Sequence, residues 1–135
     1  MNNLLIDMLK RHEGFRSKPY RCSAGKLTIA YGRNLEDVGI TKAEALMLLY
    51  TDVETAIASL ENIFSDLHKF STNRQNALIS MIFNLGASRF RLFKKMIQAI
   101  KDSDWKEASR QAKDSKWHCQ VGARAEEIET LLVRG

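Results

Sequence analysis

The sequence predicts a mainly helical α+β domain in which several helices support one short β-hairpin. Apolar residues recur at helical spacing over most of the 135 residues, whereas a strand–turn–strand pattern occurs at residues 19–32. Hydrophobic residues make up 44% of the chain and charged residues 27%, which disfavours a disordered or fibrous class. A chain of this length can bury an ordinary core, so we expect one domain with at most two lobes.

The charge balance is basic. Lys and Arg number 21 against 16 Asp and Glu, giving a formal net charge of +5. This excess suits an anionic partner, whether nucleic acid, membrane surface or anionic glycan, and does not choose among them.

Neither a membrane span nor a signal peptide is expected. No apolar stretch approaches the roughly 20 residues of a span. Asp7 and Lys10 interrupt the apolar N-terminal segment, which no small-residue cleavage site follows. We expect no stable membrane insertion and a cytoplasmic location until another factor releases the protein. Cys22 and Cys119 are too few for a disulfide framework and are predicted to be free thiols.

Residues 2–12 predict a helix that ends at Glu13 and Gly14, with Gly14 in a left-handed stop position. Its apolar face consists of Leu4, Leu5, Met8 and Leu9. The negative end of a helix dipole disfavours the charged form of a carboxyl group, and a general acid has to carry a proton. Glu13 is therefore a candidate acid. The alternative, which periodicity alone favours, is a solvated glutamate at a helix end.

Residues 19–32 predict a hairpin whose turn spans residues 23–26, with Gly25 free to adopt positive φ. Such a hairpin would bring Cys22 and Thr28 close together. The alternatives are that Cys22 is a small buried apolar residue and that Thr28 reflects β propensity alone.

The rest of the chain predicts helices. After a polar loop at residues 34–40, Thr41 and Glu44 form a capping box that opens a helix to about residue 62. Its expected buried stripe is Leu46, Leu49, Val53, Ile57 and Leu60. Following a connection at residues 63–70, a helix capped by Ser71 or Thr72 should run to about Leu85. Its residues 77–83 are apolar nearly all round, which predicts a central, buried helix.

Residues 89–100 predict one basic amphipathic helix, and an ordinary surface helix is favoured over a membrane-bound one. A capping pattern at Asp104 and Glu107 opens a short helix towards Lys113, and a last helix is expected at residues 122–133.

Several site classes are disfavoured. Neither common Gly-rich phosphate loop is present, and the three histidines are far apart with no metal-ligand spacing nearby. A Cys–His nucleophilic pair is conceivable but unsupported. A helix-turn-helix protein would need an exposed recognition helix, yet Arg74, Gln75 and Asn76 open the most apolar helix of the chain. We therefore expect no nucleic-acid partner.

The spacing of three residues resembles a known signature. Eight residues separate Glu13 from Cys22, and five separate Cys22 from Thr28. This spacing resembles the motif of the phage-type lysozymes, the endolysin muramidases of glycoside hydrolase family 24. Residues 39–45 resemble the start of the family's inter-lobe helix, and residues 77–86 its buried central helix. Further matching positions are Trp105, Trp117 and Arg124.

The resemblance implies a lysozyme-like fold and activity. A small β-hairpin lobe at about residues 13–45 and a helical lobe at about residues 1–12 and 46–135 would flank a cleft. The implied reaction is hydrolysis of the β-1,4 bond between N-acetylmuramic acid and N-acetylglucosamine in peptidoglycan, for host cell lysis. It also implies no metal or organic cofactor, a monomer, and dependence on a holin for export from the host cytoplasm.

The resemblance also implies roles for individual residues. Glu13 would be the general acid, with Thr28 and Cys22 on the opposite side to position water or stabilise the transition state. Arg124 would pair with Glu13. The expected cleft-lining or supporting residues are Tyr20, Gly32, Phe83 and Asn84.

Two departures from the family pattern matter. Cys22 stands where better-known members carry Asp, which leaves open whether the sulfur assists water, acts as nucleophile or only fills space. Ala30 replaces a common Gly, which is expected to tighten the hairpin slightly. Because Cys22 removes the second carboxylate, the alternative function is a non-catalytic cell-wall glycan-binding module of the same fold.

Overall fold

The computed structural model describes residues 2–135 and confirms a mainly helical α+β fold with eight α-helices and a three-stranded antiparallel sheet. The chain divides into two compact units, the first running to Met47 and the second being Leu48–Gly135. The first unit contains the first helix together with the sheet. The assignment of residues 1–12 to a helical lobe of one domain stays a prediction.

Helix α1 (Asn3–Glu13) has a defined cap at each end. The Asn2 side chain accepts the amides of Leu4 at 2.9 Å and Leu5 at 3.3 Å. At the other end Gly14 has the expected positive φ of 70°, but its ψ is 154°, so the expected left-handed helical stop is wrong. That backbone region is essentially restricted to glycine, which explains why the helix ends here.

The sheet is larger than the sequence predicts. Strand β1 (Arg16–Arg21) begins before residue 19, and β2 (Leu27–Ala30) ends two residues before the predicted limit at residue 32. Strand β3 (Arg33–Asn34) overlaps the start of the loop expected at residues 34–40. The strands are antiparallel in the order β1-β2-β3. The exposed start of β1 lacks apolar alternation and β3 has only two residues, so neither carries a periodic signal.

Helix α2 (Lys42–Ile63) begins with the predicted capping box. The Glu44 amide donates to Thr41 Oγ1 at 3.1 Å, and the Thr41 amide donates to Glu44 Oε1 at 2.9 Å. The predicted buried stripe is wrong in its first half, because Leu46 is 48% exposed and Leu49 44% exposed. Burial is confined to the second half of the helix, at Ala56, Leu60 and Ile63.

The remaining helices belong to the second unit. They follow a 3₁₀ turn at Leu67–Lys69 and are α3 (Thr72–Leu85), α4 (Ala87–Phe90), α5 (Lys94–Lys101), α6 (Trp105–Lys113), α7 (Lys116–Val121) and α8 (Ala123–Arg134). Ser71 caps α3 and Asp104 caps α6, as predicted. Helix α7 was not predicted. No helix among residues 2–135 has both the length and the apolar character needed to span a bilayer.

The single helix predicted at residues 89–100 is wrong. A turn separates α4 from α5, with the Leu92 amide bonded to Arg89 O at 3.2 Å and the Phe93 amide to Phe90 O at 3.0 Å. These three-residue steps tighten the chain, yet apolar side chains on both sides of the break still reach the core. Phe90, Met96 and Ile100 are buried, as in an ordinary surface helix.

The buried apolar side chains of the described residues all lie in the second unit. Helix α3 supplies Ala77, Leu78, Met81 and Ile82, which confirms that much of this helix is buried. Helices α2, α5, α6 and α8 pack the same cluster. The second unit therefore has a conventional hydrophobic core.

Candidate active site

Glu13, the last residue of α1, lies against Gly32, which follows β2. Gly32 has φ of 79°, and a Cβ built on it would come within 2.8 Å of Glu13 Oε2 and 3.1 Å of Glu13 Cδ. The carboxyl group thus occupies the space that a Cβ on Gly32 would need. Any side chain at Gly32 would meet both an unfavourable φ and a steric clash with Glu13.

The hairpin brings Cys22 and Thr28 together, as the sequence predicts. Tyr20 pairs with Thr28 across β1 and β2. The turn is closed by the Cys22 amide donating to Lys26 O at 3.0 Å and the Gly25 amide donating to Cys22 O at 2.8 Å. Cys22 is half-buried. These contacts place Cys22 at the start of the turn, with its backbone bonded to Gly25 and Lys26.

Hydrogen-bond donors surround the Cys22 sulfur. The pKa of the Cys22 thiol is lowered most by the backbone amide of Lys26, next by that of Ala24, and then by the hydroxyl of Thr28. Each donor stabilises the thiolate more than the thiol. The site therefore favours a larger thiolate fraction than a free cysteine would have.

Thr28 is buried, with 3% of its surface exposed. Its hydroxyl donates to Lys26 O at 2.8 Å. The same hydroxyl is near enough to the Cys22 sulfur to lower the pKa of that thiol. Because a hydroxyl carries one proton, donation to the sulfur competes with donation to the carbonyl. Thr28 therefore couples the Cys22 sulfur to the backbone of the turn.

Sequence reasoning missed a clamp around this turn, which we call the Arg21–Glu36 clamp. Arg21 Nη1 donates to Gly25 O at 2.9 Å and to Glu36 Oε1 at 2.7 Å, and Glu36 Oε1 also accepts the Leu27 amide at 2.9 Å. The Leu27 amide and then Arg21 lower the pKa of Glu36. No sequence pattern links Arg21 to Glu36, because strand periodicity does not extend into the loop.

A second brace fixes the loop that leads into α2. Arg33 donates to Glu44 at 2.8 Å and 2.6 Å in a bidentate pair, and also to Gly39 O at 3.0 Å. Arg33, followed by the amide of Thr41, lowers the pKa of Glu44 to about 2. One carboxylate thus serves both the capping box and the ion pair.

Tyr20 is the remaining predicted site residue of the first unit. Its half-buried ring lies 4.5 Å from the Arg16 guanidinium carbon, within reach of a cation–π contact.

In the second unit, Phe83 and Asn84 lie at the end of α3 and are exposed. Trp117 Nε1 donates to Asn84 Oδ1 at 2.8 Å. Phe83 and Arg124 both line an open groove of about 360 Å³ between α2, α3 and α8. Two of the three predicted site residues of this unit therefore share one groove.

Arg124 is anchored within the second unit. Its Nη2 donates to Ser80 O at 2.9 Å and to Ser80 Oγ at 3.2 Å. These bonds fix the guanidinium against α3. The pairing of Arg124 with Glu13 stays a prediction.

A buried acid was also not predicted. Glu129 is 1% exposed, and its Oε1 lies 2.5 Å from His118 Nδ1 while its Oε2 has no hydrogen-bond partner among the described residues. Within residues 2–135, no three His, Cys, Asp or Glu side chains are grouped as ligands for a metal ion.

Comparison with known proteins places the chain in a family. The phage lysozyme family model matches residues 10–134. A probable T4-type lysozyme from Dictyostelium discoideum is 27% identical, with 100% of this chain and 96% of the relative covered.

Phage proteins are similar as well. An endolysin from Acyrthosiphon pisum secondary endosymbiont phage 1 is 32% identical over 94% of this chain and 86% of the relative. The endolysin of Salmonella phage P22 is 38% identical over 63% of this chain and 62% of the relative. The matches span both compact units, and the chain belongs to the phage lysozyme family, as a glycoside hydrolase of the muramidase type.

Proposed function

We propose that this lysozyme hydrolyses the β-1,4 bond between N-acetylmuramic acid and N-acetylglucosamine in peptidoglycan, with Glu13 as the general acid. The observation that carries the proposal is that the Glu13 carboxyl group fills the space a side chain at Gly32 would need, in the segment covered by the family model. A general acid has to be held in place to protonate the leaving oxygen as the glycosidic bond breaks.

Glycosidases commonly use a second carboxylate, and here Cys22 takes that place in the chain. The amides and the hydroxyl around its sulfur lower the pKa of the Cys22 thiol. We propose that the thiolate this favours supplies the missing negative charge. We propose that this charge stabilises the positive charge that develops at the anomeric carbon, or accepts a proton from the attacking water. Thr28, bonded to the sulfur, orients it.

The other proposed site residues support binding. Gly32 leaves room for Glu13, and Tyr20 pairs with Thr28 in the sheet. Phe83 and Arg124 line the groove of the second unit, and the exposed Asn84 offers an amide for hydrogen bonding with the substrate.

The test of the acid is Glu13→Gln, which keeps the shape of the side chain and removes the proton donor. Because general acid–base catalysis contributes about 10²- to 10⁴-fold, the release of reducing ends from purified peptidoglycan should fall by that factor. Glu54→Gln, on an exposed turn of α2, is the matched control and should keep wild-type activity. A folded Glu13→Gln protein that cuts at the wild-type rate would rule out Glu13 as the acid.

The role of Cys22 is tested with Cys22→Asp, Cys22→Ser and Cys22→Ala. If a negative charge is required, Asp should retain the most activity, while Ser and Ala should both be strongly impaired. Full activity of the Ala variant would reduce Cys22 to a packing residue. Mass spectrometry of the digest would identify which bond is cut and would separate a muramidase from a glucosaminidase.

We also propose that the enzyme serves host lysis, acting from the cytoplasm as a monomer once a holin opens the membrane. The endolysin names of the phage relatives support this role. The expected result is that a culture expressing this chain lyses only when a holin is co-expressed. Lysis without a holin would contradict the proposed route.

A further inference from the structure

The Arg21–Glu36 clamp holds the same turn that surrounds the Cys22 sulfur. It grips the turn at the Gly25 carbonyl and at the Leu27 amide, on either side of Lys26. Lys26 supplies the amide that contributes most to the environment of the sulfur. The clamp therefore constrains the position of the amide that faces Cys22.

We propose that Arg21 and Glu36 are positioning residues that keep the turn closed around the Cys22 sulfur, so that its backbone amides face that sulfur. The inference rests on the proposed function only in giving Cys22 a catalytic role. The effect of the clamp on the thiol can be measured without substrate.

The geometry favours positioning over global stabilisation. The side chains of Arg21 and Glu36 are 66% and 37% exposed, and exposed ion pairs contribute little to folding. Yet Arg21 Nη1 and Glu36 Oε1 each take part in two hydrogen bonds of 2.9 Å or less. One is the bond between the two side chains, and the others are made with the backbone of the turn. Losing either residue should therefore loosen the turn locally while the fold is kept.

A purely electrostatic effect of Arg21 and Glu36 on the Cys22 thiol predicts different pKa shifts from an effect that acts through the position of the turn. The charged groups of the turn and the following loop are Arg21, Lys26, Glu36 and Asp37, with Lys26 Nζ 3.3 Å from Asp37 Oδ1. Removing the positive Arg21 would by electrostatics alone disfavour the thiolate, whereas removing the negative Glu36 would favour it. If both act through the turn, both substitutions should disfavour the thiolate.

The experiment compares Arg21→Met and Glu36→Ala, both in a Cys119→Ser background so that Cys22 is the single thiol. The alkylation rate by iodoacetamide is followed against pH in the absence of peptidoglycan. We expect the midpoint to rise in both variants, with about a tenfold slower reaction below the midpoint for each unit of change. Far-UV circular dichroism should show the wild-type fold. With peptidoglycan, kcat should fall while KM stays near the wild-type value.

Asp37→Asn is the matched control, because it removes one negative charge from the same loop without touching the clamp contacts. By electrostatics alone its midpoint should stay near that of the parent or fall, so a rise confined to Arg21→Met and Glu36→Ala is the result expected of the clamp. Opposite shifts in Arg21→Met and Glu36→Ala, or no shift in either, would overturn the proposal. If both midpoints rise while Glu13→Gln remains fully active, the clamp stands and the proposed catalytic role of Glu13 fails.

Discussion

The two compact units of this lysozyme are each stabilised internally by a different kind of interaction. Among residues 2–47, Thr28 is the one buried residue, and three ion pairs and many short polar contacts surround the hairpin and its loops. In the second unit the buried apolar side chains form a single cluster. Directional bonds dominate the first unit and apolar burial the second.

This difference matters because Glu13, Cys22 and Thr28 all lie in the polar unit. Hydrogen bonds fix distances and angles, whereas apolar burial is non-directional. A unit built from polar contacts can hold a carboxyl group and a sulfur in defined positions without a large core. Such a unit should be sensitive to protonation of its carboxylates and to the loss or addition of a single side-chain group. The following predictions are ordered from the largest expected effect to the smallest.

The largest effect is expected from Leu78→Ala in α3. Leu78 is fully buried, and removing a buried leucine side chain costs about 2–5 kcal/mol through lost burial and the cavity that remains. Chemical unfolding followed by tryptophan fluorescence measures the loss, since Trp105 and Trp117 both lie in the second unit. Leu92→Ala, at a site 74% exposed, is the control and should change stability little. Equal losses would contradict a core-dominated second unit.

Gly32→Ala should reduce kcat about 100-fold, because the new methyl group displaces Glu13 Oε2 from a 2.8 Å approach. Tryptophan-detected unfolding of the second unit should stay close to wild type. Gly39→Ala separates backbone strain from the clash, since Gly39 also has positive φ, 68°, but its nearest contact is Leu35 O at 3.9 Å. If Gly39→Ala is as inactive as Gly32→Ala, the contact with Glu13 is not the cause.

Acidification should loosen the loop held by Arg33 and Glu44 before it affects the core helix α3. The pKa of Glu44 is about 2 in the folded chain, below its ordinary 4.5, because Arg33 and Thr41 stabilise the carboxylate. Its contribution is fully present above pH 4.5 and is lost as the pH falls towards 2. The hydrogen-exchange protection of β2, taken relative to the intrinsic exchange rate at each pH, should therefore fall over this range while α3 stays protected. Glu44→Gln should flatten this pH dependence; an unchanged profile would contradict it.

The smallest effect concerns Ala30. Ala30 has φ of 60°, a left-handed conformation that costs a residue with a Cβ about 1 kcal/mol. Ala30→Gly should thus raise the stability of the first unit by up to about 1 kcal/mol, measured by hydrogen exchange of the sheet. Ala58→Gly, at an exposed position within α2, should instead lower stability by about 0.5–1 kcal/mol. A loss in both variants would show that Ala30 is not strained.

Sequence reasoning succeeded where the determinants are local. The capping residues Thr41, Ser71 and Asp104 each bond to the residue three positions ahead, so the pattern is visible in a short window. Gly25 likewise marks the hairpin turn. The fold class and the proximity of Cys22 to Thr28 follow from such signals.

The failures concern contacts between distant positions or breaks within a periodic pattern. Apolar spacing continues across the turn between α4 and α5, so the break leaves no trace in the periodicity. The Arg21–Glu36 clamp joins residues 15 apart, and the His118–Glu129 contact joins two helices. Charged residues at such positions look like solvated surface until the fold is known.

The bond from Trp117 to Asn84 fixes which way an exposed amide faces. An indole N–H can only donate, so Asn84 must turn its oxygen towards Trp117 and its NH₂ group away from it. The outward edge of that side chain is therefore a donor and would suit a carbonyl oxygen. Asn84→Asp preserves the acceptor for the indole while replacing those two donor protons with a negative oxygen, so one nearly isosteric change reverses the polarity presented at the end of α3.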